Sequence, residues 1–154
     1  MGAHRLVVGL GHPDRGDDAV GGLVADQVGQ RRSDLVVEHL LDPAALLDVL
    51  NDVEVLVVAD AALSPAPVGT VEVFDVSQRP LPEATGRPPS THGLSLATVL
   101  DLARTTDTLA PSAWVVTVAA DSFDIGQPPH PRVRAAVPDA ARRVVDLLSQ
   151  AGSG

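Results

Sequence analysis

An α/β fold is what the sequence predicts: a three-layer α/β/α sandwich built on a mostly parallel sheet. Three observations lead there. Short apolar runs rich in Val and Leu recur along the chain, at Leu6-Val7-Val8, at residues 53–59 (VEVLVVA) and at residues 113–119 (AWVVTVA). Runs without polar alternation are typical of strands covered on both faces. Between them lie segments with apolar residues at helical spacing, such as Val20, Leu23, Val24 and Val28. Strand and helix patterns alternate with no internal repeat and no linker, which implies a single domain over residues 1–154 with helices on both sides of the sheet.

The elements follow in order. Residues 4–9 read as a short buried strand, and residues 18–31 as an amphipathic helix. Residues 34–41, with Leu35-Val36-Val37 and Leu40-Leu41, form a second strand. Residues 43–50 form a short helix, since Pro43 suits a first turn and Leu46, Leu47 and Leu50 share a face. The most hydrophobic strand covers residues 53–59 and is expected to stop at Asp60. Pro65, Pro67 and Gly69 make residues 61–69 a loop. Residues 70–76 (TVEVFDV) alternate as a half-exposed strand does. Residues 77–91 carry four prolines and no periodicity, and loops of that length in a compact domain are often functional or mobile. A helix is expected over residues 93–104, with Leu96, Val99, Leu100 and Ala103 on one side. A strand over 113–119, a loop over 121–131 and a last helix over 137–150 complete the chain.

Composition removes several chemistries. Aromatic residues are 2% of the chain, so Val, Leu and Ala must fill the interior. A net charge of −9 makes nucleic acid and anionic membrane surfaces poor partners. With no Cys there is no disulfide, thiol nucleophile or Cys-rich zinc site. With no Lys there is no Schiff base and no Walker lysine. No G-x-S-x-G stretch occurs, and no apolar run approaches the roughly 20 residues of a membrane helix. The N-terminus reaches a strand without a signal-peptide pattern, so a cytoplasmic location is expected.

Chemistry must therefore come from Asp, Glu, His and Arg, with some Ser and Thr. Residues 6–28 combine a strand, a Gly9-Leu10-Gly11 turn, the pair Asp17-Asp18 and a helix. In an open α/β sheet, sites form where strands end at the carboxyl edge. Asp18 follows the first strand, Asp60 the third, and His92 precedes a helix. Two carboxylates and an imidazole are a reasonable ligand set for a divalent metal. Each also has a plain alternative. Asp17 or Asp18 can cap a helix, Asp60 can open a turn, and His92 can pack at a helix start. His12 lies near the site. Arg15, Arg79 and Arg87 are either solubilising charges or hold a peptide carboxylate, whereas His4, His39 and His130 read as surface or loop residues. A dinucleotide site is disfavoured, because Asp14 replaces the third glycine of G-x-G-x-x-G and the acidic pair repels pyrophosphate.

Three blocks give the chain a family resemblance. GLGHPDRGDDAVG resembles the motif G-[IVL]-G-N-x-L-x-x-D-[DE]-G-x-G that opens the hydrogenase maturation endopeptidases, with His12, Asp14 and Ala19 replacing the usual Asn, Leu and Gly. VLVVADAALSPAPVGTVEVF resembles their second block, and STHGLSLATVLDLA their third. Order and spacing agree over residues 6–102. Peptidyl-tRNA hydrolases share a similar opening, but their following Asn and His residues are not matched.

The resemblance implies a phosphorylase/hydrolase-like fold and a metal-dependent endopeptidase, aspartic-type in its family classification. Such an enzyme removes the C-terminal extension of a nickel-iron hydrogenase large-subunit precursor after nickel insertion. Carried over by position, it implies Asp18, Asp60 and His92 as the catalytic and metal-binding residues. The cofactor is nickel delivered with the substrate, for which another divalent metal can substitute. The expected partner is the precursor, with no nucleic acid and no membrane, and the expected state is a monomer. The alternatives are a non-catalytic metal-responsive binding module and another hydrolase on the same fold.

Overall fold

Five strands form one sheet in the computed structural model, which describes residues 4–82 and 94–152. They are β1 (Arg5–Leu10), β2 (Val36–Leu40), β3 (Val55–Leu63), β4 (Val71–Asp75) and β5 (Ser112–Ala120), in the order β2-β1-β3-β5-β4. Every neighbouring pair is parallel except β4 with β5. The expected α/β architecture with a mostly parallel sheet is therefore what the chain adopts, with one antiparallel edge.

Among the described residues, three α-helices and two 3₁₀ turns cover the sheet: a 3₁₀ turn at Gly16–Ala19, α1 (Val20–Arg31), a 3₁₀ turn at Pro43–Asp48, α2 (Leu96–Thr105) and α3 (Pro131–Gly152). Strand alternation sorts the core into two layers. Val7, Val57, Val116 and Val118 face α1 and α3, meeting Val24, Val28, Ala141 and Val144. Leu6, Val8, Leu56, Val58 and Val115 face the opposite side, meeting Leu46, Leu50, Val99 and Leu100. The bulkiest fully buried side chains are all Leu and Val, as an interior nearly without aromatics requires.

Several expected boundaries move. The third strand does not stop before Asp60 but runs to Leu63, and Asp60 lies inside it. Its partner β5 sets the length: Ala61, Ala62 and Leu63 pair with Val118, Ala119 and Ala120. The last helix begins at Pro131, six residues earlier than its hydrophobic register suggests, because a proline fits a first turn. Pro138 lies within that helix on an exposed position. The segment expected to be a helix from residue 18 is a 3₁₀ turn first and an α-helix from Val20. The helix expected over residues 43–50 is a 3₁₀ turn ending at Asp48. The helix expected from residue 93 is described from Leu96. Most of the loop expected over residues 77–91, with Arg87, falls outside the described residues, as does His92.

Candidate functional site

The connections create a switch point between β1 and β3. The chain leaves β1 through α1 to reach β2 on one side, then returns through the second 3₁₀ turn to β3 on the other. At such a reversal the loops diverge and leave a crevice at the carboxyl ends of the strands. The β1–β3 ladder closes with Gly9 opposite Ala59, and β3 then continues, paired with β5. Asp60 is the first residue of β3 beyond that last β1 pair.

Close backbone approach builds the turn that carries Asp18. The Gly11 amide donates to the Leu40 carbonyl at 2.9 Å, tying the turn to the end of β2. Gly11 has φ of 130°. A Cβ there would run into the Asp18 carbonyl and lie 2.8 Å from its Oδ1, so Asp18 occupies the space that only a glycine leaves. The His12 amide donates to Asp18 Oδ2 at 2.9 Å. Gly21, one turn further on, packs against the Leu10 and Ala59 carbonyls so closely that a Cβ would overlap both. The start of α1 is thus pressed onto β1 and β3 at the residue before Asp60.

Both carboxylates are buried, Asp18 being 3% and Asp60 1% exposed. Neither takes its plain alternative. The 3₁₀ turn at Gly16–Ala19 has Arg15 at its N-cap and no side-chain cap, and α1 has none either. Asp60 sits within a strand and opens no turn. Alternation puts Asp60 on the face of Leu56 and Val58, the side of α2. On the same face its register partner is Thr117, 2% exposed, and beyond Thr117 comes Glu72 on β4. Thr117 was open to sequence reasoning as the lone polar residue of AWVVTVA.

Asp17 behaves differently from the helix cap expected for it. It is 2% exposed. Its Oδ2 accepts from the Asp121 and Ser122 amides at 2.6 and 3.1 Å, and its Oδ1 from the His130 amide at 2.6 Å. His130, expected in a loop, lies just before α3, and its Nδ1 accepts from the Arg132 amide at 3.0 Å. The His39 imidazole is exposed and pairs with Asp26 at 2.8 Å, a surface role.

Among the described residues, no three His, Asp or Glu side chains come together as a metal-holding group. Carboxylate oxygen and imidazole nitrogen suit a divalent first-row metal. Asp18 and Asp60 offer two such donors at the switch point, and His92 lies outside the described residues. A hollow of about 420 Å³ adjoins the turn, lined by Gly11, Pro13, Ala19, Leu23, His39 and Leu41 among others. No helix among the described residues is long and apolar enough to cross a membrane.

Comparison with known proteins adds to this geometry. Residues 33–147 match the family model described as hydrogenase maturation protease. The matched stretch includes Asp60 and His92 and begins after Asp18. Among solved structures, the chain is similar to the hydrogenase maturating endopeptidase HybD from E. coli, at 25% identity and a TM-score of 0.77, over 97% of this chain and 94% of that one. It is also similar in fold to the [NiFe] hydrogenase maturation protease HycI from Thermococcus kodakarensis, at 22% identity and a TM-score of 0.71, over 96% and 94% of the two chains. HybD from the same archaeon aligns at 20% identity and a TM-score of 0.68, over 96% and 99%. No curated protein sequence matches the chain.

Proposed function

The chain belongs to the hydrogenase maturation protease family, and from that premise we propose that it is a cytoplasmic endopeptidase that removes the C-terminal extension of a nickel-iron hydrogenase large-subunit precursor once nickel has been inserted. The observation that carries the reading is the pair of buried carboxylates, Asp18 and Asp60, at the β1/β3 switch point. Burying a carboxylate is costly unless donors or a cation compensate it. Two of them beside one crevice are a feature that packing alone does not favour.

In this reading nickel is part of the substrate, arriving with the precursor, and Asp18, Asp60 and His92 are the residues that receive it. An ion held by two carboxylates and an imidazole keeps open positions for substrate groups and supplies Lewis acidity toward a carbonyl. Recognition of the loaded precursor then makes cleavage a check on metal insertion. The hollow beside the turn, which Asp26, His39 and Arg134 also line, supplies room for a side chain of the bound peptide.

The rest of the chemistry falls to the chain. Without Cys or Lys no thiol or lysine nucleophile is available, and no Ser lies in a G-x-S-x-G nucleophile motif, so in this reading water attacks the scissile carbonyl. A carboxylate of the pair accepts the proton that the water loses and returns it to the departing amine, as general acid–base catalysis requires. The C–N bond breaks, leaving a new carboxyl terminus on the large subunit and a free amine on the released peptide.

The test is incubation of the protein with nickel-loaded and nickel-free precursor, followed by intact mass. Shortening of the loaded form alone is the expected result. Binding without cleavage would make the chain a metal-responsive adaptor. Equal cleavage of both forms would remove nickel from recognition. Inertness toward both, with turnover of a small ester, would assign a different hydrolase activity.

A further inference from the structure

Asp17 stands beside the proposed site without belonging to it, and its hydrogen bonds reach across the chain. Three backbone amides, those of Asp121, Ser122 and His130, converge on one buried carboxylate. The backbone reinforces the same seam. The Asp17 amide donates to the Ser122 carbonyl at 3.0 Å, the Gly16 amide to the Gln127 carbonyl at 2.9 Å, and the Gly126 amide to the Asp14 carbonyl at 2.7 Å. Gly16 has φ of 55°, and a Cβ there would lie 2.8 Å from the Ser122 carbonyl oxygen. The turn before α1 and the loop over residues 121–130 are joined along their length.

That seam has a structural consequence. The loop leaves β5 directly, since β5 ends at Ala120, and Ala120 pairs with Leu63 of β3. The turn is held to β1 by the chain, to the residue before Asp60 by Gly21, and to β5 by Asp17. We propose that Asp17 is a positioning residue: its carboxylate clamps residues 121–130 onto the turn of residues 11–18 and so fixes Asp18 relative to Asp60. The consequence for processing rests on the function proposed above, whereas the clamp itself does not. A carboxylate suits the task because it is acceptor-only on both oxygens, whereas an amide turns an NH₂ toward some of the same donors. Catalytic groups held loosely lose rate steeply, a misplacement near 1 Å costing about 100-fold.

The experiment compares wild type, Asp17→Asn and Val144→Ala, the last a cavity variant in the core of α3 away from the seam. Processing of loaded precursor is measured well below all melting temperatures, and amide exchange is followed by NMR. In Asp17→Asn, kcat should fall by about 100-fold with KM little changed. Protection should be lost at the Asp121, Ser122 and His130 amides and also at His12, whose N–H donates to Asp18. Val144→Ala should lose stability while keeping kcat. If Asp17→Asn keeps kcat, or if His12 stays protected while the other three amides open, the clamp does not position Asp18. Should Asp17→Asn fail to fold, exchange of the wild type in low denaturant decides. One shared opening free energy for His12, Ser122 and His130 supports the clamp, and independent openings overturn it. A wild type that cleaves nothing refutes the proposed function and leaves the exchange result standing.

Discussion

The chain makes the same passage twice, from a strand of the parallel sheet into a 3₁₀ turn with an aspartate at its mouth. After β2, Asp42 is exposed, and its Oδ1 accepts from the Ala44 amide at 2.9 Å, with Pro43 as the first residue of the turn. After β1, Asp17 and Asp18 are buried and cap nothing. The residue type is the same, yet the carboxylates serve different ends. Asp42 satisfies the helix that follows it, so its partners lie two residues away. Asp17 has partners more than a hundred residues away, and Asp18 has its own turn folded around it. A helix-start aspartate relieved of capping, and buried at a switch point, is available for other work.

The largest expected effect sharpens that contrast. Asp18→Asn should lower processing of loaded precursor by about 100-fold or more, the scale of a lost acid–base group, with the melting temperature near wild type. His92→Ala should act similarly. Initial rates and thermal melts on the same samples check both. Activity near wild type in either variant would take that residue out of the proposed site and leave the first turn with only a structural role.

Next come the glycines of α1, where the first turn's burial reverses an ordinary rule. A Gly to Ala change in a helix usually stabilises, by up to about 1 kcal/mol. At Gly29 the added methyl would sit 3.5 Å from Val37 Cγ2, ordinary van der Waals contact. Gly29→Ala should therefore stabilise by about 0.5–1 kcal/mol. At Gly21 the same methyl would overlap the Leu10 and Ala59 carbonyls. Gly21→Ala should destabilise by about 1–3 kcal/mol, in the range of overpacking, and reduce processing because Asp18 and Asp60 flank that contact. Urea unfolding of the pair measures both signs. If Gly21→Ala stabilised as Gly29→Ala does, α1 would not be pressed onto β1 and β3 as described.

What the sequence disclosed and what it hid divide along the same line of local against distant causes. The strands and helices were legible because Val/Leu runs and helical spacing are local signals. The half-exposed character of β4 was legible in the alternation of TVEVFDV, whereas its edge position was not. The end of β3 was misjudged because Pro65 and Pro67 marked the loop, whereas the pairing of Ala61, Ala62 and Leu63 with β5 fixed the strand. The start of α3 was misjudged because Pro131 looked like one more loop proline after Pro128 and Pro129. Asp18 and Asp60 could be nominated, since strand ends at the carboxyl edge are visible in a pattern. Asp17 could not be distinguished from a cap, because its three donors lie in a segment that reads only as a proline-containing loop.

Asp42 supplies the smallest effect and the control for the others. It is exposed, makes one side-chain bond to its own 3₁₀ turn, and lies at the mouth of the second turn. Loss of such a cap costs about 0.5–1 kcal/mol at an exposed site. For a chain of this length Asp42→Ala should lower the melting temperature by about 1–4 °C. Asp42→Ser should recover most of that loss, because a serine hydroxyl can accept from the same amide. Processing of loaded precursor should remain at the wild-type rate in both variants. If Asp42→Ala removed processing while costing no more stability than this, the division between a capping turn and a site-bearing turn would fail. The second turn would then have to be counted among the surfaces that meet the precursor.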